Sequence, residues 1–116
     1  MSKIAIIINN DSVSANTLFE LKKVTGESVD AIRKNISDHK PIVEGLLFYN
    51  DHDEVSEKLF KVVRDLAKND ITYSIFELEE DEEYNTIDSK NQEISADTLY
   101  NIIEEHNREI RRQEDL

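Results

Sequence analysis

The residues of this chain best suited to chemistry are aspartates that follow its apolar segments. Asp11 follows the apolar run of residues 3–9, and Asp51 and Asp53 follow the run of residues 42–50. Three carboxylates brought together could bind a divalent cation and support metal-dependent hydrolysis. Asn and Asp at such positions more commonly form turns and cap helices, because their side chains satisfy free backbone amides. We therefore predict no metal site, and a hydrolase using these aspartates is the less favoured alternative.

Other catalytic motifs require residues that this chain lacks. Two glycines in 116 residues leave no Gly-rich phosphate-binding loop, and the absence of cysteine removes thiol catalysis, thiolate metal sites and disulfides. The three histidines have no spacing that places two of them on one helix face. We predict a protein that is not an enzyme, has no catalytic residues and needs no cofactor.

An acidic run is the most distinctive candidate binding feature. Residues 77–83 contain six carboxylates in seven positions, and a tyrosine follows them. Such runs are commonly solvated linkers, because like charges repel one another. The functional interpretation is an electrostatic anchor for a basic protein surface, with the tyrosine in the interface. The predicted partner-binding residues are Glu77, Glu79, Glu80, Asp81, Glu82, Glu83 and Tyr84.

The net charge of −12 indicates the kind of partner. Residues 1–78 carry 13 acidic and 10 basic side chains, a net charge of −3, whereas residues 79–116 carry 13 acidic and 4 basic ones, a net charge of −9. Nucleic-acid phosphates and anionic lipids would repel this chain, and a basic protein would attract it. We therefore predict an acidic inhibitor of the immunity type, one that neutralises a basic nuclease toxin.

The compartment is predicted from what the chain lacks. Cysteine is absent, residues 1–12 have no signal-peptide cleavage pattern, and no apolar run approaches the roughly 18 residues that a membrane-spanning helix needs. These features favour a reducing compartment, and we expect a cytoplasmic protein with no membrane partner.

Hydrophobic periodicity predicts the elements that position these residues. The β-branched run of residues 3–9 predicts a buried, central strand. A first helix has Leu18 and Leu21 on its apolar side, with Phe19 as a candidate third residue, and it stops at Thr25 and Gly26. A second helix is capped by Ser28 and ended by Lys40 and Pro41, and we expect a strand over 42–50 with a bulge or close backbone approach at Gly45. A third helix follows over 53–70, capped by Asp53 or a neighbouring Asn. The last strand of this series covers 71–78 and has alternating faces.

These elements predict an α+β fold in which a three-stranded sheet packs on helices. We expect a compact domain over residues 1–78, an acidic linker or loop over 79–94, and an amphipathic helix over 95–116. That last helix either docks on the domain, makes a homodimer or binds in a partner's groove. Its apolar stripe is Leu99, Ile102, Ile103, His106 and Ile110.

The segment "TGESVDAIR" from Thr25 to Arg33, followed by Ile36 and Pro41, resembles the C-terminal domain of the bacterial ribosomal stalk protein. That family has a pattern like T-G-L-G-L-K-E-A-K after its first strand and a short helix. The predicted order of strand, helix, helix, strand, helix and strand over residues 3–78 also fits this domain. The resemblance implies a protein-binding scaffold.

The resemblance also implies an alternative function. In the stalk family, basic residues of the helix pair engage translation factors. At the two matching lysine positions this chain has Asp30 and Arg33, and Ser28 replaces the second glycine. The alternative is therefore an adaptor in translation or proteolysis that binds its partner through Lys23, Arg33 and Lys34.

Overall fold

A computed structural model describes residues 2–47, 52–79 and 93–114. The described part of the chain contains four helices and a four-stranded antiparallel sheet, an α+β fold. The elements in chain order are β1 (Ser2–Ile8), α1 (Ala15–Thr25), α2 (Val29–Ser37), β2 (Val43–Leu46), α3 (His52–Lys68), β3 (Tyr73–Glu79), β4 (Glu93–Ile94) and α4 (Ala96–Glu114). None of the helices in these ranges has the length and hydrophobicity needed to cross a bilayer.

Strand β1 lies inside the sheet, whose strand order is β2-β1-β3-β4. Ile4, Ile6 and Ile8 belong to the main core, together with side chains from all four helices. Ala5 and Ile7 point to the opposite face, where they form a second buried cluster with Phe76 and Leu78. Because side chains alternate between faces, burial on both sides requires an unbroken apolar run. The predicted central position of this strand is confirmed.

The caps of α1 and α2 follow the sequence prediction. The Ser28 hydroxyl oxygen accepts a hydrogen bond from the Ala31 amide at the start of α2. Gly26 has the left-handed φ of 77° after α1, and its amide donates to the Lys22 carbonyl. This conformation favours glycine, which has no Cβ to clash with the backbone. Helix α2 stops at Ser37, three residues before the predicted stop signal of Lys40 and Pro41.

Gly45 permits a close approach between β2 and α3. Its pairing with Ile4 is part of a regular antiparallel register, so of the two predicted possibilities the bulge is wrong. A Cβ atom at Gly45 would lie 2.6 Å from Cγ1 of Val55. The close-approach prediction is confirmed, and this contact places the first turns of α3 beside β2.

Helices α3 and α4 complete the main core. Leu59, Val62 and Leu66 of α3 are fully buried in it. Leu99 and Ile103 of α4 are each only 1% exposed in the same cluster. Helix α4 therefore docks on the domain. Helix α3 begins at His52, so the predicted cap Asp53 lies within its first turn.

The fourth strand corrects the predicted three-stranded sheet and the bounds of the linker. Glu93 and Ile94 form β4, which pairs with Phe76 and Ile75 of β3. Glu79 is the last residue of β3, so both ends of the predicted linker 79–94 are strand residues. Two residues are too few for a periodic pattern, and only their pairing with β3 defines this strand.

Candidate partner-binding surfaces

The antiparallel sheet separates the aspartates of the hydrolase alternative. Asp11 follows β1 near the start of β2, and one of its carboxylate oxygens lies 3.7 Å from Nε2 of His39. Asp53 lies in the first turn of α3, beside the other end of β2. The hydrolase alternative requires these residues to converge, and Asp11 and Asp53 lie at opposite ends of β2. Asp51 lies outside the described residues. Among the described residues, no three His, Asp or Glu side chains are grouped to hold a metal ion.

The same topology gathers other carboxylates at one end of the sheet. Lys3 of β1 pairs with Leu46 of β2 on one side and with Leu78 of β3 on the other. The last residues of β2 and β3 therefore lie at the same end of the sheet, which is also where α3 begins. We call this region the acidic end. Its described carboxylates are Asp53, Glu54, Glu77 and Glu79.

Two of these carboxylates have a structural role, and two extend the acidic run. Asp53 and Glu54 lie in the first turn of α3, where the helix dipole favours negative charge. Glu77 is half-buried and Glu79 is exposed, and both share the face of β3 that carries Ile75. The predicted binding residues Glu80 to Tyr84 lie outside the described residues.

The nearest lysine on β1 does not project toward these two glutamates. Lys3 alternates with Ile4 and therefore points to the opposite face of the sheet. Its Nζ atom lies 3.9 Å from a carboxylate oxygen of Glu44. The charge of Lys3 is thus directed to Glu44 of β2.

The basic residues of the adaptor alternative are divided between two helices. Exposed Lys23 on α1 faces α3 across a hollow of about 310 Å³. Arg33 on α2 lies 3.7 Å from Asp30, and Lys34 is exposed in the last turn of that helix. The hollow beside Lys23 is lined by Lys23, Val24, Glu54, Glu57, Lys58 and Lys61. Carboxylates therefore accompany both Lys23 and Arg33.

Two exposed aromatic side chains were not recognised in the sequence. Phe19, the candidate third residue on the apolar side of α1, is 55% exposed and does not belong to that side. Tyr100 is 53% exposed, and its ring centroid lies 5.8 Å from that of Phe60. Tyr100 follows Leu99 in the sequence but does not belong to the apolar stripe. The stripe therefore did not indicate that the Tyr100 ring would pack against Phe60.

No protein-family model matches this sequence, and no significant match was found among curated proteins or among solved structures. The relationship to the ribosomal stalk domain therefore stays a prediction.

Proposed function

We propose that this protein is a non-enzymatic binding module, an acidic inhibitor of the immunity type, whose acidic end binds a basic protein. One observation carries the proposal. The antiparallel topology brings the first turn of α3 to the end of the sheet where Glu77 and Glu79 lead into the acidic run. A basic surface could then contact carboxylates from α3 and β3 together with those of residues 80–83.

Clustered carboxylates act mainly on the rate of association and on specificity. A single exposed ion pair contributes only about 0–1 kcal/mol, because water and salt screen it. Several carboxylates on one end of a protein with net charge −12 also create a long-range field that steers a basic partner. A nuclease surface that binds phosphates presents the complementary charge, so carboxylates would compete there with nucleic acid.

The partner can be sought by salt-dependent capture. The full chain, carrying an affinity tag, is incubated with a lysate of its native host at about 0.1 M and about 1 M salt, where the Debye length falls from roughly 10 Å to roughly 3 Å. We expect a basic protein to be retained at low salt and released at high salt. Mass spectrometry identifies it, and inhibition of its nuclease activity by the purified chain is then measured.

Matched variants test the surface. Glu77→Gln with Glu79→Gln removes two charges from the acidic end, and Glu27→Gln with Asp38→Asn removes two exposed charges near α2. With the purified partner, we expect the first variant to lower the association rate constant by about tenfold. The control variant should bind as the wild type does.

Three results would overturn this proposal. They are the absence of any basic protein retained at low salt, a retained partner with no nuclease activity to inhibit, and equal association rates for the two variants. The adaptor alternative makes the opposite prediction. Reversing the charges of Lys23, Arg33 and Lys34 would then abolish binding, while neutralising Glu79 to Glu83 would leave it unchanged.

A further inference from the structure

The two exposed aromatic residues have opposite charges beside them. On α1, Phe19 is followed three and four residues later by exposed Lys22 and Lys23. Positions three and four residues apart are neighbours on a helix surface. We call these three residues the α1 patch.

A second patch on α4 has the complementary charges. Asp97 precedes Tyr100 by three residues, and Glu104 follows it by four. Asp97 is exposed and Glu104 is half-buried. These three residues form the α4 patch. It places two carboxylates beside an aromatic ring, whereas the α1 patch places two lysine ammonium groups beside one.

Both patches belong to the same side of the molecule. The hollow between α1 and α3 and a second hollow of about 300 Å³ between α3 and α4 are both lined by Glu57 and Lys61. These two residues therefore form a ridge on α3, with α1 on one side and α4 on the other. Lys23 lines the first hollow, and Ile103, one turn from Tyr100, lines the second.

Helices α1 and α4 run in the same direction, opposite to α3. Glu20 of α1 accepts a hydrogen bond of 3.2 Å from the Asn69 side chain just after α3, whereas Lys23 lies beside the first half of α3. On the other side of α3, Tyr100 contacts Phe60, and the later α4 residue Asn107 shares a hollow with Asp53. The α1 patch and the α4 patch thus lie on either side of α3, and helices α1 and α4 are parallel to each other.

We propose that this helical side is the interface of a twofold-symmetric homodimer, in which the α1 patch of each copy contacts the α4 patch of the other. A twofold axis parallel to α3 places α1 of one copy opposite α4 of its partner, and the same operation creates the second contact. Such an interface is closed, so association stops at two copies. Each contact pairs two lysines with two carboxylates around an aromatic pair.

Charge also disfavours the other symmetric arrangements of these patches. An α1-to-α1 contact would bring four lysines together, and an α4-to-α4 contact would bring four carboxylates together, both of which are repulsive. The ridge between the patches is locally neutral, because Nζ of Lys61 lies 3.1 Å from a carboxylate oxygen of Glu57. Two ridges can therefore approach each other in spite of the net negative charge of the chain.

Charge reversal combined with sedimentation equilibrium tests the dimer. The full chain should change from 13.5 kDa toward twice that mass as its concentration rises, and no further. Reversing the α1 patch (Lys22→Glu with Lys23→Glu) or the α4 patch (Asp97→Lys with Glu104→Lys) should each raise the dimer dissociation constant by at least about tenfold. An equimolar mixture of the two variants should form a heterodimer, and all four substitutions in one chain should restore the homodimer.

A matched control separates local charge from net charge. Lys34→Glu with Lys40→Glu makes the same change in net charge at exposed positions outside both patches, and it should weaken the dimer less than the α1 reversal does. Circular dichroism establishes that each variant is folded. The proposal is wrong if the wild type stays at 13.5 kDa up to about 1 mM, or if it forms species larger than a dimer. It is also wrong if the control variant weakens association as much as the α1 reversal does, or if the two reversed variants do not form a heterodimer.

Asp53 and Glu54 of the acidic end line the two hollows on the dimer side, but the charged contacts of the dimer are made by Asp97 and Glu104, so the two proposals can fail separately. A monomer that still binds a basic nuclease would refute only the dimer. A dimer with no such partner would refute only the inhibitory function.

Discussion

The contact between β2 and α3 at Gly45 allows a quantitative test of the packing. Replacing Gly45 by alanine adds a Cβ atom 2.6 Å from Cγ1 of Val55, with two Leu59 methyl groups at 3.6 and 3.7 Å. The Leu59 distances are ordinary contacts. The distance to Val55 is too short, so the valine or the backbone must move.

The expected cost follows from two opposing effects. Alanine in a strand is favoured over glycine by roughly 0.5–1 kcal/mol, because glycine loses more backbone entropy on folding. Adding a methyl group to a well-packed site costs about 1–3 kcal/mol, and the χ1 angle of a helical valine is strongly restricted. The 2.6 Å contact with this valine favours the upper part of the packing cost, about 2–3 kcal/mol, so we expect Gly45→Ala to lower the free energy of unfolding by about 1–2.5 kcal/mol.

Urea unfolding followed by circular dichroism measures this cost, and a double-mutant cycle assigns it. Val55→Ala removes the methyl groups that the new Cβ would meet. In that background, Gly45→Ala should be neutral or stabilise the protein by up to about 1 kcal/mol. The coupling between the two substitutions should then be at least about 1 kcal/mol.

Gly26→Ala provides the matched control, because Gly26 has a different physical constraint. Nothing lies within 4 Å of its hypothetical Cβ, but its φ is 77°. Alanine should cost about 1–2 kcal/mol there through backbone strain alone, with or without Val55→Ala. The reasoning about Gly45 is refuted if Gly45→Ala is as stable as the wild type, or if its cost is the same in both Val55 backgrounds.

Two further predictions concern α2 and α4, and both are measured by urea unfolding at low protein concentration. Ser28→Ala removes the hydroxyl that accepts a hydrogen bond from the Ala31 amide, and should lower the free energy of unfolding by about 1 kcal/mol. Ser28→Asp should retain most of the stability, and equal losses for the two variants would rule out the cap. Leu99→Ala should cost about 2–5 kcal/mol because this side chain is 1% exposed, whereas Tyr100→Ala should cost clearly less because that ring is 53% exposed. A negligible effect of Leu99→Ala would show that α4 does not stabilise the domain.

Half of the described acidic end could be predicted from the sequence. Glu77 and Glu79 were recognised because charge runs are visible in one dimension. Glu54 was not, and Asp53 was grouped with Asp11, because the direction of each strand decides which loops meet. In an antiparallel sheet, β1 and β2 finish at opposite ends, so residues that follow them are held apart.

The sequence by itself determined the features that depend on near neighbours. The Ser28 cap, the left-handed Gly26 and the apolar face of α3, formed by Val55, Leu59, Val62 and Leu66, each involve residues within a few positions of one another. Only the tertiary structure decided that β4 joins the sheet, that α4 docks beside Phe60, and that α3 begins at the acidic end. These contacts join residues about 10 to 40 positions apart, and their free energy depends on the shape and burial of the assembled surfaces, which local propensity does not specify.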